Sequence, residues 1–249
     1  MAANHQPAIR CIGIATGGGD DPGLNALIRA LRKLLSSKRH WKVSAIPDGF
    51  DGLIWPEKSF ELTLDRVSRI LPRGGTILGT TNRGNPFKYK SEENGREVVR
   101  DISDDILANR KKLGIDAIIT IGGDGWQKIG HDLFQKGMKI VGVPRTIGND
   151  LSLTDFTFGF DTALHTVCDA IDKIHTTASS RPRVRSWKSW AVTAVGSRLS
   201  HAGGAHIILI PKIAFTMKNV CDFIPHRENH GSRFTIVVVA EGIKLPRPS

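Results

Sequence analysis

Apolar and polar residues follow one another along this chain in blocks whose period switches between that of a strand and that of a helix. Ile9 to Ala15 is a short apolar run ending in Thr16-Gly-Gly-Gly-Asp-Asp-Pro-Gly23, after which Leu24, Leu27, Ile28, Leu31, Leu34 and Leu35 recur at helical spacing. That reads as strand, glycine loop, helix. Val43 to Ile46 predicts the next strand and Ile70 to Thr80 a second glycine-rich loop. Glu97 to Leu113 predicts an amphipathic helix, Ala117 to Ile121 a buried strand, and Gln127 to Gly137 a helix with glycine at its end. Lys139 to Val143 reads as a strand, Phe160 to Ile174 as a helix, and His206 to Ile210 and Phe234 to Ala240 as two late strands. The alternation predicts an α/β fold, doubly wound around mostly parallel sheets, with ligands in the crevice at the carboxyl ends of the strands.

With 249 residues, 40% of them hydrophobic, the chain can bury a substantial core as one large domain or two small ones. No apolar run approaches the ~20 residues that span a bilayer, and Met1 to Gln6 carries no basic-then-apolar leader. A cytoplasmic location is the expectation. Cys11, Cys168 and Cys221 are too scattered for a disulfide framework or a metal site, and an odd count fits a reducing compartment. The formal charge of +11 admits nucleic acid, anionic membrane or phosphorylated small molecules as partners. The lysines and arginines are dispersed and a single Tyr is available to stack on bases, so the expectation is no nucleic acid and no membrane.

Three glycine-rich motifs carry candidate chemistry. Thr16 to Asp20 follows a strand and opens a helix, an arrangement in which backbone N–H groups and a helix N-terminus can hold phosphate, though a tight turn needs the same glycines. Ile121-Gly-Gly-Asp-Gly125 ends a buried strand and presents Asp124 between glycines. A single carboxylate so placed can ligate Mg²⁺ that is held mainly by phosphate oxygens. Gly75-Thr-Ile-Leu-Gly-Thr-Thr-Asn-Arg83 is a glycine-rich loop that ends in an arginine, a residue that surface loops also carry.

Taken together these motifs resemble those of the phosphofructokinases. Gly18-Gly-Asp-Asp-Pro-Gly-Leu-Asn25, the Gly75–Arg83 loop, Gly122-Gly-Asp-Gly125 and Val141-Gly-Val-Pro-Arg-Thr-Ile-Gly-Asn-Asp-Leu151 all have counterparts there. So do Thr157-Phe-Gly-Phe-Asp-Thr-Ala163, Ala202 to Pro211 and Phe234 to Gly242, so the resemblance covers nearly the whole chain. It is closest to the bacterial branch with both ATP- and pyrophosphate-dependent members. The resemblance implies two Rossmann-like domains, 1–140 for nucleotide and 141–249 for fructose 6-phosphate, the second incomplete. It implies transfer of the γ-phosphoryl group of MgATP to the 1-hydroxyl of fructose 6-phosphate by a homo-oligomer, a dimer or tetramer.

By the same resemblance Gly19, Arg83, Gly84, Gly123, Asp124, Gly125 and Trp126 serve nucleotide and metal. Thr146, Ile147, Gly148, Arg183 and Glu241 serve the sugar phosphate, Arg183 reaching it from a neighbouring subunit. An Asp in place of Gly125 goes with pyrophosphate as donor, so Gly125 favours ATP, with pyrophosphate or a non-catalytic nucleotide binder as alternatives. Arg145 keeps the charge of a lysine that occurs in pyrophosphate enzymes and in one ATP-using branch. Trp126 replaces a small Ser or Thr and is expected to crowd the nucleotide. Gly148 stands where the family has the aspartate that takes the proton from the sugar hydroxyl. Asp150 is the nearest carboxylate, and an ordinary backbone direction would point it elsewhere.

One segment departs from the pattern. Where the family has a buried strand and a Met-Gly-Arg-His sugar loop, this chain has Arg185-Ser-Trp-Lys-Ser-Trp-Ala-Val-Thr-Ala-Val-Gly-Ser-Arg198. Codons permitted for Trp187 to Thr193 spell Glu-Val-Met-Gly-Arg-His in another frame, which predicts a local frameshift restored near His201. The segment therefore does not read as an interior strand. The resemblance also leads to the expectation that further chain would follow Ser249.

Overall fold

The structure is a computed structural model that describes residues 9–81, 84–93, 95–180, 184–189, 204–211, 213–240 and 243. The chain divides into two compact units, Met1–Thr146 and Ile147–Ser249.

In the first unit, β1 (Cys11–Thr16) is followed by α1 (Leu24–Arg39), β2 (Lys42–Ile46), a one-turn α2 (Asp51–Ile54) and a two-residue β3 (Phe60–Glu61). A hairpin of β4 (Tyr89–Glu93) and β5 (Arg96–Arg100) precedes α3 (Ser103–Lys112), β6 (Ala117–Gly122), α4 (Asp124–Gln135) and β7 (Ile140–Pro144). The main sheet runs β3-β2-β1-β6-β7, parallel except for β3. Alternate residues of each strand face opposite layers. Ile12, Ile14, Val43 and Ala45 pack with Leu24, Ile28 and Leu35 of α1, whereas Ala15, Ile46 and Ile118 pack with Ile106 of α3 and Leu133 of α4. Two apolar layers, one on each face, make the sheet doubly wound.

The helix expected over Glu97 to Leu113 is shorter, because Arg96–Arg100 pairs antiparallel with Tyr89–Glu93. Gly95 at the hairpin turn has φ +73, the left-handed region that favours glycine. Asn94-Gly95 is a hairpin signal in the sequence, and it outweighs the helical spacing that follows it. The junction expected near residue 140 lies further on, since β7 hydrogen-bonds to β6 within the first sheet.

The second unit holds α5 (Phe160–Ser180), β8 (Val184–Ser189), β9 (Ile207–Leu209), α6 (Met217–Asn229) and β10 (Thr235–Ala240). Its strands form a parallel sheet in the order β8-β10-β9. Phe160 and Ile171 of α5 pack on Ile236 and Val238 of β10, the middle strand. Val184–Ser189 is a strand after all, paired with β10 over its whole length. It lies at a sheet edge among the described residues, where a strand needs one hydrogen-bonding neighbour and tolerates polar positions. The rest of the segment for which a frameshift is expected, 190–201, lies outside the described residues. Among the described residues no helix is long and apolar enough to cross a membrane.

Candidate functional site

Strand β1 pairs with β2 on one side and with β6 on the other, so the chain winds outward in both directions from the β1–β6 seam. Loops leaving the carboxyl ends of these two strands diverge and open a crevice, the place where open α/β sheets bind ligands. The loop after β1 is fixed by its backbone: the Gly17 N–H donates to the Ile121 carbonyl at 3.0 Å and the Gly18 N–H to the Thr81 carbonyl at 3.1 Å. Thr80 Oγ1 donates to the Gly18 carbonyl and Thr16 Oγ1 to the Gly79 carbonyl, each at 2.6 Å. Asn25 completes the lock, accepting from the Ile77 N–H at 2.8 Å and donating to the Arg73 carbonyl at 3.0 Å. Three glycine-rich segments far apart in sequence thereby share one hydrogen-bonded frame.

That frame bounds a cleft of about 560 Å³, within the range of small-molecule sites. Of the residues expected there, Gly84, Gly123, Asp124, Gly125 and Trp126 line it, joined by Gly18. Gly19 is exposed and does not line it. Arg83, Arg183 and Glu241 lie outside the described residues. Lys88, Lys128, Ile129 and Asp132 also line the cleft and were missed by the motif reading. Residues 128, 129 and 132 stand three, four and seven positions after Gly125 on α4, so helical spacing alone could have found them.

Asp124 opens the first turn of α4, exposed and flanked by glycines. A Cβ built on Gly125 meets no atom of the described residues within 4 Å outside its own helix. Among the described residues no group of three or more His, Cys, Asp or Glu converges. The cleft wall carries two carboxylates, Asp124 and Asp132 about two turns further along α4, which fits Mg²⁺ that arrives on phosphates and does not fit a protein cage.

Trp126 does not crowd the cleft as expected. Its ring turns into the protein, 5% exposed, and stacks on Phe50 with centroids 4.3 Å apart and planes at 19°. Gly17, Gly49 and Gly122 form the seat of the indole.

Arg145 follows β7 and is also turned inward. Its guanidinium pairs with the Asp21 carboxylate and donates to the Gly17 carbonyl at 2.7 Å, while its backbone N–H donates to the Gly122 carbonyl at 3.1 Å. Burial pushes the Asp21 carboxyl up, with the hydrogen bond and charge of Arg145 pulling it back.

In the second unit, Asn149 adopts φ +47 and anchors its loop, accepting from the Thr157 N–H at 2.8 Å and donating to the Asp155 carbonyl at 3.0 Å. The left-handed turn folds the chain back. The Asp150 carboxylate consequently stands 3.1 Å from where a Cβ of residue 148 would be, and does not point away as expected. Thr146 and Ile147, both half-buried, end one unit and begin the other.

The family model described as Phosphofructokinase matches residues 11–248. The chain is 44% identical over 239 residues to the ATP-dependent 6-phosphofructokinase 2 of Clostridium perfringens, covering 95% of this chain and 65% of that protein. It is 45% identical over 241 residues to the ATP-dependent 6-phosphofructokinase of Chloroflexus aggregans, covering 94% and 65%. The chain thus spans about two thirds of the length of these curated relatives. The solved structure of Pichia pastoris phosphofructokinase in the T-state superposes with a TM-score of 0.79 at 29% identity, covering 98% of this chain and 29% of that one. A pyrophosphate-dependent phosphofructokinase from Marinobacter aquaeolei shares the fold, with a TM-score of 0.71 at 20% identity over 95% of this chain and 62% of that one.

Proposed function

The chain belongs to the phosphofructokinase family, and on that premise we propose that it carries the MgATP site of a 6-phosphofructokinase, a glycolytic kinase of the cytoplasm acting as a homo-oligomer. The reaction is transfer of the γ-phosphoryl group to the 1-hydroxyl of fructose 6-phosphate. The observation that carries this reading is the cleft at the β1–β6 switch point, whose wall at Gly125 has no side chain and, outside its own helix, no atom of the described residues within 4 Å of where one would begin. Room there suits a nucleotide's α-phosphate.

The backbone of Gly18 and Gly123 brings the chain close to the phosphates, and Lys88 and Lys128 add positive charge to the wall. Asp124 would hold Mg²⁺, which when bound draws charge from the phosphate oxygens. Arg83 would meet the transferring group, and Thr146, Ile147, Arg183 and Glu241 the sugar phosphate. Proton removal from the attacking hydroxyl falls to Asp150, whose carboxylate fills the space in front of Gly148. Gly148 itself favours a second reading, a chain that binds substrates without turning them over.

Thermal shifts with MgATP and with magnesium pyrophosphate, measured beside turnover of fructose 6-phosphate with each donor, test the proposal. A larger shift with MgATP supports it. Equal or reversed shifts count against ATP.

A further inference from the structure

Arg145 and Asp21 stand 124 positions apart in sequence and are 3% and 6% exposed. Their ion pair sits behind the glycine loop after β1. One guanidinium nitrogen binds Asp21, the other donates to the Gly17 carbonyl at 2.7 Å, and Nε has no partner among the described residues. A Cβ on Gly18, which lines the cleft, would lie 3.2 Å from the guanidinium. A full positive charge therefore lies one backbone thickness behind the wall on which donor phosphates would rest.

Such a cation would attract a polyanion strongly if it were unpaired, because the low-dielectric surroundings screen it weakly. Asp21 cancels it. The two candidate donors depend on that charge unequally. Pyrophosphate offers only phosphate oxygens and draws its affinity from cations, whereas a nucleotide also presents a base and ribose to the cleft.

We propose that Asp21 is a specificity-determining residue for the phosphoryl donor: by holding the Arg145 guanidinium behind the glycine loop, it withholds a cation from the phosphates and tilts preference from pyrophosphate toward the nucleotide. The inference rests on the donor-cleft reading above. It gives Asp21 a role that acts through Arg145, without contact to the donor.

The test is calorimetric binding of MgATP and magnesium pyrophosphate to the whole chain and to Asp21→Ser, Arg145→Met and the double variant. Asp21→Ser leaves the guanidinium uncompensated, and a buried unpaired charge reorganises toward water or an anion. The ratio of pyrophosphate to ATP affinity should rise about tenfold or more, a modest share of one charge contact near a protein surface. In the double variant the ratio should return to that of the wild type. Arg145→Met alone leaves the buried Asp21 charge uncompensated behind the loop, and should weaken pyrophosphate more than MgATP. This third arm carries the test if Asp21→Ser does not fold.

An unchanged ratio in a cooperatively melting Asp21→Ser overturns the proposal, as does a double variant that keeps the raised ratio or an Arg145→Met that weakens both donors equally. A wild-type chain that binds neither donor overturns the cleft reading and this inference together. Donor binding with an unmoved ratio overturns the inference alone.

Discussion

Trp126 stacks on Phe50 with ring centroids 4.3 Å apart, and the indole rests on Gly17, Gly49 and Gly122, from three separate segments of the chain. A Cβ at Gly17 or Gly122 would overlap the ring, and one at Gly49 would lie 2.6 Å from it. The seat and the side chain are therefore complementary. Gly17 follows β1 and Gly122 ends β6, so the indole packs over the carboxyl ends of the two paired strands, where the cleft begins.

Trp126→Ala should cost about 3–5 kcal/mol, the usual range for emptying an aromatic site in a core, measured by urea unfolding. Gly17→Ala should also destabilise, because its new methyl group has nowhere to go while the indole is present. In the Trp126→Ala background the same change should cost much less, or nothing. Strictly additive losses would show that the ring does not occupy this seat, since coupling is the signature of contact.

Gly125→Asp should separate fold from donor binding. Outside its own helix no atom of the described residues lies within 4 Å of the new Cβ, so unfolding stability should stay within about 0.5 kcal/mol, as for ordinary exposed sites. MgATP binding should weaken at least about tenfold, because the carboxylate adds bulk and negative charge beside the phosphates. Unweakened MgATP binding in a folded variant would move the nucleotide away from this wall.

The parallel core was legible because β1, β6 and β10 are buried on both faces and read as continuous apolar runs such as Ile12-Gly-Ile-Ala15 and Ala117-Ile-Ile-Thr-Ile121. Helix α6 was not read, since Pro225 interrupts it and no residue of it is buried. Glu97 to Arg100 reads as part of the helix that follows because Val98 and Val99 fit either period. In the site, the glycine loops and Asp124 were legible as local motifs. The Asp21–Arg145 pair was not, because no spacing rule links residues 124 positions apart. Nor was the return of Asp150 toward Gly148, which depends on the φ of Asn149 and on side-chain bonds to Asp155 and Thr157.

Acidification should loosen the second unit through His206. Its Nδ1 accepts from the Ile236 N–H at 2.9 Å, which requires a neutral ring. Burial holds the imidazole below its ordinary value of 6.5, helped by the charges of Arg227 and His175. The unfolded chain then binds the proton more readily than the folded one, so stability is full above about pH 6.5 and falls as the pH drops toward the folded value. His206→Gln should lose part of this dependence between about pH 7 and 5, read by denaturant unfolding at each pH. A slope identical to that of the wild type would remove His206 from the linkage.

The Asp150 carboxylate should be the group that takes the proton, and the evidence sought is a loss in kcat with substrate binding intact. Asn149 holds Asp150 over the empty side of Gly148, with all three carboxyl atoms 3.1 Å from the position of the absent Cβ. Asp150→Asn keeps the shape and removes the basic oxygen. If the chain turns over fructose 6-phosphate, this change should lower kcat by about 10²–10⁴-fold, the contribution typical of a positioned base. KM should barely move, as expected for an interaction made only in the transition state. Gly148→Asp in the Asp150→Asn background should restore activity, because the smaller charge load lets a carboxylate re-enter the same space. Gly148→Asp alone should gain less than in that background, since its Cβ would press on the Asp150 carboxyl. A chain that binds MgATP and fructose 6-phosphate but does not turn over, and that Gly148→Asp activates fully on its own, would show that Asp150 has not taken the role of the missing aspartate.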